Sequence, residues 1–317
     1  MKIRLLKDAD VSAVIRKHNE FLPHESATRE QILRKLFFDV NFDRSGFFIA
    51  EENGEIVGFV NAVYHATAIA RGAPNGYPNG YVNRLAIRDG EDFEEIGTAL
   101  LTCAETYLRE HGKTGISTGY FPTYFTQGVC PERAPRYVRL YEKLGYSSAA
   151  SAALRLDLSR FVPFETYEER RRDLLAEGYA VGPLTEAYLL SAIDPKADFS
   201  NASWSAEFKM RLQQGFALEK MRVATKDGKV VGACIYGDPG SSEERFGPFG
   251  VSAGHRGKGI GAVLLQDCLT EMKKHGLQSA WMQWVGEDGV AFRLYRKFGF
   301  AKTATYLTFH KNLGENV

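Results

Sequence analysis

Gly257, Gly259 and Gly261, interleaved with Lys258 and Ile260 and preceded by Arg256, are the residues of this 317-residue chain whose spacing points most directly to chemistry. The stretch leaves an apolar segment ending Phe249-Gly250-Val251, passes Ser-Ala-Gly-His, and enters an amphipathic pattern that begins at Ala262. It reads as a strand end, a tight turn and the first turns of a helix. Glycines without Cβ let the backbone bend sharply and approach a ligand. A helix starting there directs its unpaired N–H groups and positive dipole end into the turn, and Arg256 and Lys258 add two cations. That combination suits a phosphate or a diphosphate. A P-loop is excluded, because Lys258 is followed by Gly259 rather than Ser or Thr. Gly257-x-Gly259-x-x-Ala262 fits a dinucleotide fingerprint. That fingerprint needs an acidic residue after the next strand, where Trp281-Met-Gln-Trp284 stands instead, so a nucleotide-dependent oxidoreductase is disfavoured.

A second block follows a strand over 279–285: Ala291-Phe292-Arg-Leu294-Tyr295-Arg-Lys297-Phe-Gly299-Phe300. Together the blocks resemble the two signature motifs of the GNAT superfamily of N-acyltransferases, V-x-x-x-x-[RQ]-x-x-G-x-[GA] and A-x-x-L-Y-x-K-x-G-F. Val251, Arg256, Gly259 and Gly261 match the first, and Ala291, Leu294, Tyr295, Lys297, Gly299 and Phe300 the second. The resemblance implies an α/β fold on a mixed sheet whose fourth strand parts from the fifth. It implies acetyl-CoA as co-substrate, with its pantetheine arm in that gap and its diphosphate on the glycine turn. On this resemblance acetyl-CoA is held by Phe249, Gly250, Val251, Arg256, Gly257, Lys258, Gly259, Ile260, Gly261 and Ala262, with Asp288 and Phe292. The Val251 amide becomes the oxyanion donor and Tyr295 the general acid for the departing thiolate. The sequence departs from the family pattern at Ala253, where Pro is frequent, and at Asp288, where Asn is frequent.

The residues themselves add to this. In Arg245-Phe-Gly-Pro-Phe-Gly-Val251, Pro248 cannot donate to a ladder and Gly247 and Gly250 weaken it, so this strand is expected to carry a bulge or face a gap. A phenol with pKa about 10 stays protonated at neutral pH, as a general acid must. The competing reading for Tyr295 is a packed ring whose hydroxyl bonds the backbone, and for Asp288 a helix cap. No general base is evident on the strand itself: Glu243 and Glu244 precede it and read as surface turn residues or as a base acting through water, and His255 as a group that orders the loop. Trp204 and Phe208, on a helical stretch after Asp198, and the aromatic segment 120–135 are the candidate acceptor-facing elements.

The elements that would position these groups recur twice. Ala50-x-x-x-Gly54-x-x-Val57-Gly58 aligns with Ala224-x-x-x-Gly228-x-x-Val231-Gly232, Ile87–Gly97 with Val251–Gly261, and Leu140-Tyr-Glu-Lys-Leu-Gly-Tyr146 with Leu294–Phe300. Three blocks in one order predict a duplicated domain, with insertions in the first half within 66–80 and 112–135. Glu52-Asn-Gly54 predicts a hairpin turn, Thr28-x-x-Gln31 a capping box, and 93–110 a long helix. The expected organisation is a first GNAT-like domain over 1–160, a linking helix over 161–178 with a solvated face of arginines, and a second domain over 179–317. The halves differ where the chemistry sits. Asp92 stands in place of Arg256 and Glu95 in place of Gly259, so the first loop sets like charge against a phosphate. Tandem members of the superfamily, mycothiol synthase among them, are similar in this arrangement, with catalysis in the C-terminal half.

Composition narrows the partners. A net charge of +1 gives no basic excess for nucleic acid, and there is no apolar run long enough to cross a membrane. The charged start Met-Lys-Ile-Arg-Leu-Leu-Lys-Asp lacks the apolar core of a leader, which predicts a cytoplasmic protein. Cys103, Cys130, Cys234 and Cys268 have neither metal-ligand nor disulfide-scaffold spacing, so no metal is expected. The sequence reading is an acetyl-CoA-dependent N-acetyltransferase acting on a small-molecule or peptide amine, active in its C-terminal domain. The alternative is a CoA-binding sensor without turnover.

Overall fold

The structure of the protein, a computed structural model, describes residues 1–65, 77–120, 128–194, 196–197, 199, 202–238 and 242–314, without the side chains of 202, 203 and 206. The elements run β1 (Lys2–Leu5), α1 (Val11–Phe21), α2 (Arg29–Ile32), β2 (Phe47–Glu52), β3 (Glu55–Val63), β4 (Asn79–Ile87), α3 (Phe93–Glu110), β5 (Gly115–Ser117), α4 (Pro135–Lys143) and β6 (Ser147–Asp157). They continue α5 (Glu165–Ala176), β7 (Tyr179–Pro183), α6 (Leu189–Ala192), α7 (Ala202–Gln213), β8 (Met221–Lys226), β9 (Lys229–Asp238), β10 (Ser242–Val251), α8 (Ile260–Lys274), β11 (Ser279–Val285), α9 (Val290–Lys297) and β12 (Ala301–Asn312).

The described chain forms two compact units, residues 1–151 with 305–314, and residues 152–304. In the first, the strands lie in the order β1-β2-β3-β4-β5-β12, antiparallel except for the β4–β5 pair. In the second the order is β7-β8-β9-β10-β11-β6, antiparallel except for β10–β11. The two orders match strand for strand, which is the duplication predicted from the sequence. They also differ from the expected boundaries at 160 and 178. Residues 305–312 complete the first unit's sheet beside β5, and residues 152–157 complete the second's beside β11. Each half therefore takes its last strand from the other half's stretch of sequence. A period-2 pattern tells which face of a strand is buried but not which sheet edge receives it. The expected linking helix, α5, belongs to the second unit, where its Arg171 pairs with the buried Asp267 of α8 at 2.8 Å.

Local signals are realised closely. Thr28 accepts from the Gln31 amide at 3.1 Å while the Gln31 side chain accepts from Thr28 N–H at 2.9 Å, the expected capping box. Asn53 and Gly54, at φ 50° and 81°, turn β2 into β3. Each sheet packs on a helix that buries its apolar face: Leu100, Leu101, Ala104 and Leu108 of α3 in the first unit, Leu264, Leu265, Cys268 and Met272 of α8 in the second. No helix among the described residues is long and apolar enough to cross a membrane.

Candidate active site

β10 is the strand on which the site is built. It pairs with β11 at Arg245↔Trp281 and then keeps only its other neighbour, β9, through Phe249↔Cys234, Gly250↔Ala233 and Val251↔Gly232. The ladder with β9 shifts register on both sides of Phe246, and Gly247 sits at φ 108°. The bulge and the gap expected from Gly247, Pro248 and Gly250 are thus both present. Ser252 N–H donates to Val231 C=O at 2.8 Å. Amide directions alternate along a strand, so the Val251 N–H and C=O point away from β9, to the side from which β11 has parted. The Val251 carbonyl accepts from Arg256 Nε at 2.8 Å. Its N–H faces the gap. At Gly250 a Cβ would fall 2.1 Å from the Phe199 carbonyl and 3.2 Å from the Trp204 ring, so only glycine lets the segment around α7 lie against the strand.

The turn after β10 ends in two left-handed glycines, Gly257 at φ 78° and Gly259 at φ 80°, the latter capping α8 with no side-chain acceptor. Ile260 and Ala262 are buried, so these residues offer the turn their backbone rather than their side chains, while Gly261 lets the Phe249 ring approach to 3.3 Å of its missing Cβ. The cations are arranged differently from the sequence expectation. Arg256 ties the turn to the strand end. Lys258 donates to the Tyr179 hydroxyl at 3.0 Å, an interaction that raises its pKa, and His255 Nδ1 lies 3.0 Å from the same hydroxyl. Arg170, on α5, was not singled out from the sequence. Its Nε donates to the Lys258 carbonyl at 2.8 Å and its Cγ lies 3.2 Å from where a Gly259 Cβ would be. A charged run on a presumed solvated helix carries no signal that one arginine reaches a loop 88 residues away.

Tyr295, on α9, is 6% exposed among Phe246, Phe249 and Phe300, with ring centroids 6.1, 6.1 and 5.6 Å away. Burial raises its pKa, so the phenol keeps its proton. The ring is thus packed, as the competing reading expects, but its hydroxyl bonds no backbone group among the described residues. Phe292 is half-buried on the same core, whereas Ala291 is exposed. Asp288 is exposed and does not cap α9; Gly289 occupies that place, and Asp288 contributes its carbonyl to Arg293. Burial works to raise the Glu244 carboxyl, but the Ser279 hydroxyl and the Ser279 and Gln278 amides, the latter two at 3.0 Å, donate to it and hold it below its ordinary pKa, and Glu243 pairs with Lys220. Both are committed to structure. Phe208 is a core residue, edge-on to Phe216, so of the two aromatics expected to face an acceptor only Trp204 lies beside the strand. Of the other acceptor-facing element, 120–135, residues 121–127 lie outside the described residues.

The same positions in the first unit are closed. Ile87 N–H, the counterpart of Val251 N–H, donates to the Tyr137 hydroxyl at 3.0 Å, and Tyr137 occupies the place of Ala291. Phe93 stands where Gly257 does; its buried ring lies under the Arg136 guanidinium at 4.4 Å and edge-on to Tyr137 at 5.0 Å. Asp92 pairs with Arg88, and Arg136 with Asp89. Side chains fill this turn and satisfy one another, where the second unit leaves bare backbone.

A mixed sheet that parts beside a glycine turn at a helix start is the architecture of the GNAT acetyltransferases. Residues 217–302 match the acetyltransferase (GNAT) domain and residues 12–146 the acetyltransferase (GNAT) family, together more than two thirds of the chain. The protein belongs to this superfamily and carries two of its domains in tandem. No curated protein matches it. Among solved structures it is similar to the glucosamine N-acetyltransferase region of a fungal multi-domain β-N-acetylglucosaminidase, with TM-score 0.80 and 18% identity over 98% of this chain; the match spans 38% of the fungal protein. It is also similar to a GCN5-related N-acetyltransferase of Sphaerobacter thermophilus, with TM-score 0.71, 16% identity, 100% of this chain and 96% of that one. A tandem GNAT protein of the clavulanic acid biosynthesis pathway gives TM-score 0.65 and 17% identity over 100% and 99%.

Proposed function

We propose that the C-terminal unit transfers an acetyl group from acetyl-CoA to the amine of a small molecule or peptide, and that the N-terminal unit does not bind CoA tightly. The observation that carries this reading is the Val251 N–H facing the parted strands, when its counterpart at Ile87 is capped by a side chain. The diphosphate of acetyl-CoA fits the backbone N–H groups at 257–261, and the pantetheine arm fits the gap between β10 and β11. The thioester oxygen then meets the Val251 N–H, which stabilises the negative charge that develops as the amine nitrogen attacks the carbonyl carbon. The new C–N bond forms, the C–S bond breaks, and the thiolate takes the Tyr295 proton. The amine gives up its proton to water, and water reprotonates Tyr295. Trp204 and Phe199, beside Gly250, mark the side from which the acceptor approaches.

Tyr295→Phe is expected to lower turnover about 10²-fold, the usual worth of a positioned proton donor, and to leave acetyl-CoA affinity unchanged. Thiol release with a panel of amines, beside calorimetric titration of acetyl-CoA, reads both. Undiminished turnover would remove Tyr295 from the chemistry, and absence of turnover in the parent protein with bound acetyl-CoA would favour a sensor. Arg170→Ala is expected to weaken acetyl-CoA binding about fivefold, because it releases one charge-assisted bond that fixes the Lys258 carbonyl. An unchanged dissociation constant would show that the turn holds its shape alone.

A further inference from the structure

The first unit keeps a cavity of about 290 Å³ beside the closed turn, between the end of α1 and the start of α4. Its walls are apolar: Phe21, Leu22, Phe93 and Tyr137 line it, each at most 9% exposed, with Tyr306 on the far side. The volume lies at the small end of the ~300–1,000 Å³ typical of ligand sites, too little for a nucleotide with a long arm. The charges at its edge are unequal. Glu20 pairs with Lys17 at 3.0 Å, Glu25 with the buried Arg84, and Asp89 with Arg136. Every carboxylate lining the cavity therefore has its own cation. Arg133 also lines it, is exposed, and has no hydrogen bond or ion pair from its guanidinium among the described residues. The neighbouring Glu132 carboxylate accepts instead from the Cys130 thiol at 3.1 Å. Deeper in, the Tyr137 hydroxyl accepts from Ile87 N–H but finds no acceptor for its own proton among the described residues.

We propose that this cavity binds a small apolar carboxylate, its aryl or alkyl body against Phe21, Leu22 and Phe93 and its charged end on Arg133. Burying the apolar body supplies the affinity, and the one uncompensated guanidinium selects the anion over a neutral or cationic analogue. Tyr137 adds a donor for an oxygen that reaches further in. The site stands on the first unit alone and does not depend on what the second unit acetylates.

Phenylacetate, phenylacetamide and phenethylamine, the same body with three head groups, test this by calorimetric titration into the full-length protein saturated with acetyl-CoA. Phenylacetate is expected to bind one equivalent at least tenfold more tightly than the other two. Arg133→Ala, a surface change, is expected to erase that preference while leaving acetyl-CoA binding intact, and Leu22→Trp to abolish phenylacetate binding by filling the cavity. Proton NOEs from phenylacetate to the Phe93 and Tyr137 rings place it. No phenylacetate binding at millimolar concentration, equal binding of the amide, or a preference that survives Arg133→Ala would each overturn the proposal.

Discussion

Replacing Ala291 by tyrosine should lower turnover by about 10²–10³-fold, the measured cost of losing one oxyanion-hole donor. The reason lies in the paired halves. At the equivalent place the Tyr137 hydroxyl accepts the Ile87 N–H, and the duplication sets Ala291 against Val251 as it sets Tyr137 against Ile87. Ala291 is exposed at the first turn of α9, so a ring there meets open space. Its hydroxyl would take the amide that the reaction needs. Ala291→Phe is the control, since it brings the ring without the acceptor. Equal losses in the two variants would mean that crowding, not capping, is responsible, and the assignment of Val251 would fall. Tyr137→Ala should not awaken the first half, because Phe93, Asp92 and Arg136 still fill its turn.

Gly259→Glu should weaken acetyl-CoA binding about 10²-fold or more. Gly259 sits at φ 80°, where a side chain costs about 1–2 kcal/mol, and its Cβ would press on Arg170 at 3.2 Å. The larger part is electrostatic: a carboxylate at the helix start opposes the diphosphate and blocks the backbone that would receive it. Gly259→Ala carries only the strain and should cost far less. Glu95→Gly, at the same position of the first half, should leave acetyl-CoA affinity unchanged in calorimetry. Equal losses from Gly259→Glu and Glu95→Gly would refute a single CoA site in the second half.

Much of this architecture was legible because its signals are local. Asn53-Gly54 needs a left-handed turn, Thr28 and Gln31 cap each other, and 93–110 is helical over that whole span. The glycine turn was legible for the same reason: Gly257 and Gly259 are glycines because the backbone there is left-handed. Other features depend on residues far apart in the chain, and no period or spacing encodes them. Arg170 reads as one charge of a solvated run until α5 lies along α8. Asp288 fits a cap until Gly289 takes that place. Phe208 fits an acceptor wall as well as it fits the core. The cap on Ile87 is the clearest case, since a tyrosine in the first half looks like a conservative filler until its hydroxyl is found 3.0 Å from one particular amide.

The crossed strands bear on how such a protein can evolve. A freshly duplicated pair of domains can lose one copy by a single truncation, and the survivor stands. Once residues 305–312 finish the first sheet and residues 152–157 the second, neither copy can be deleted, shuffled or inherited without the other. A half whose turn is filled by its own side chains is then retained by its neighbour's need for a sheet edge, and remains in the lineage as material from which a new pocket can be made.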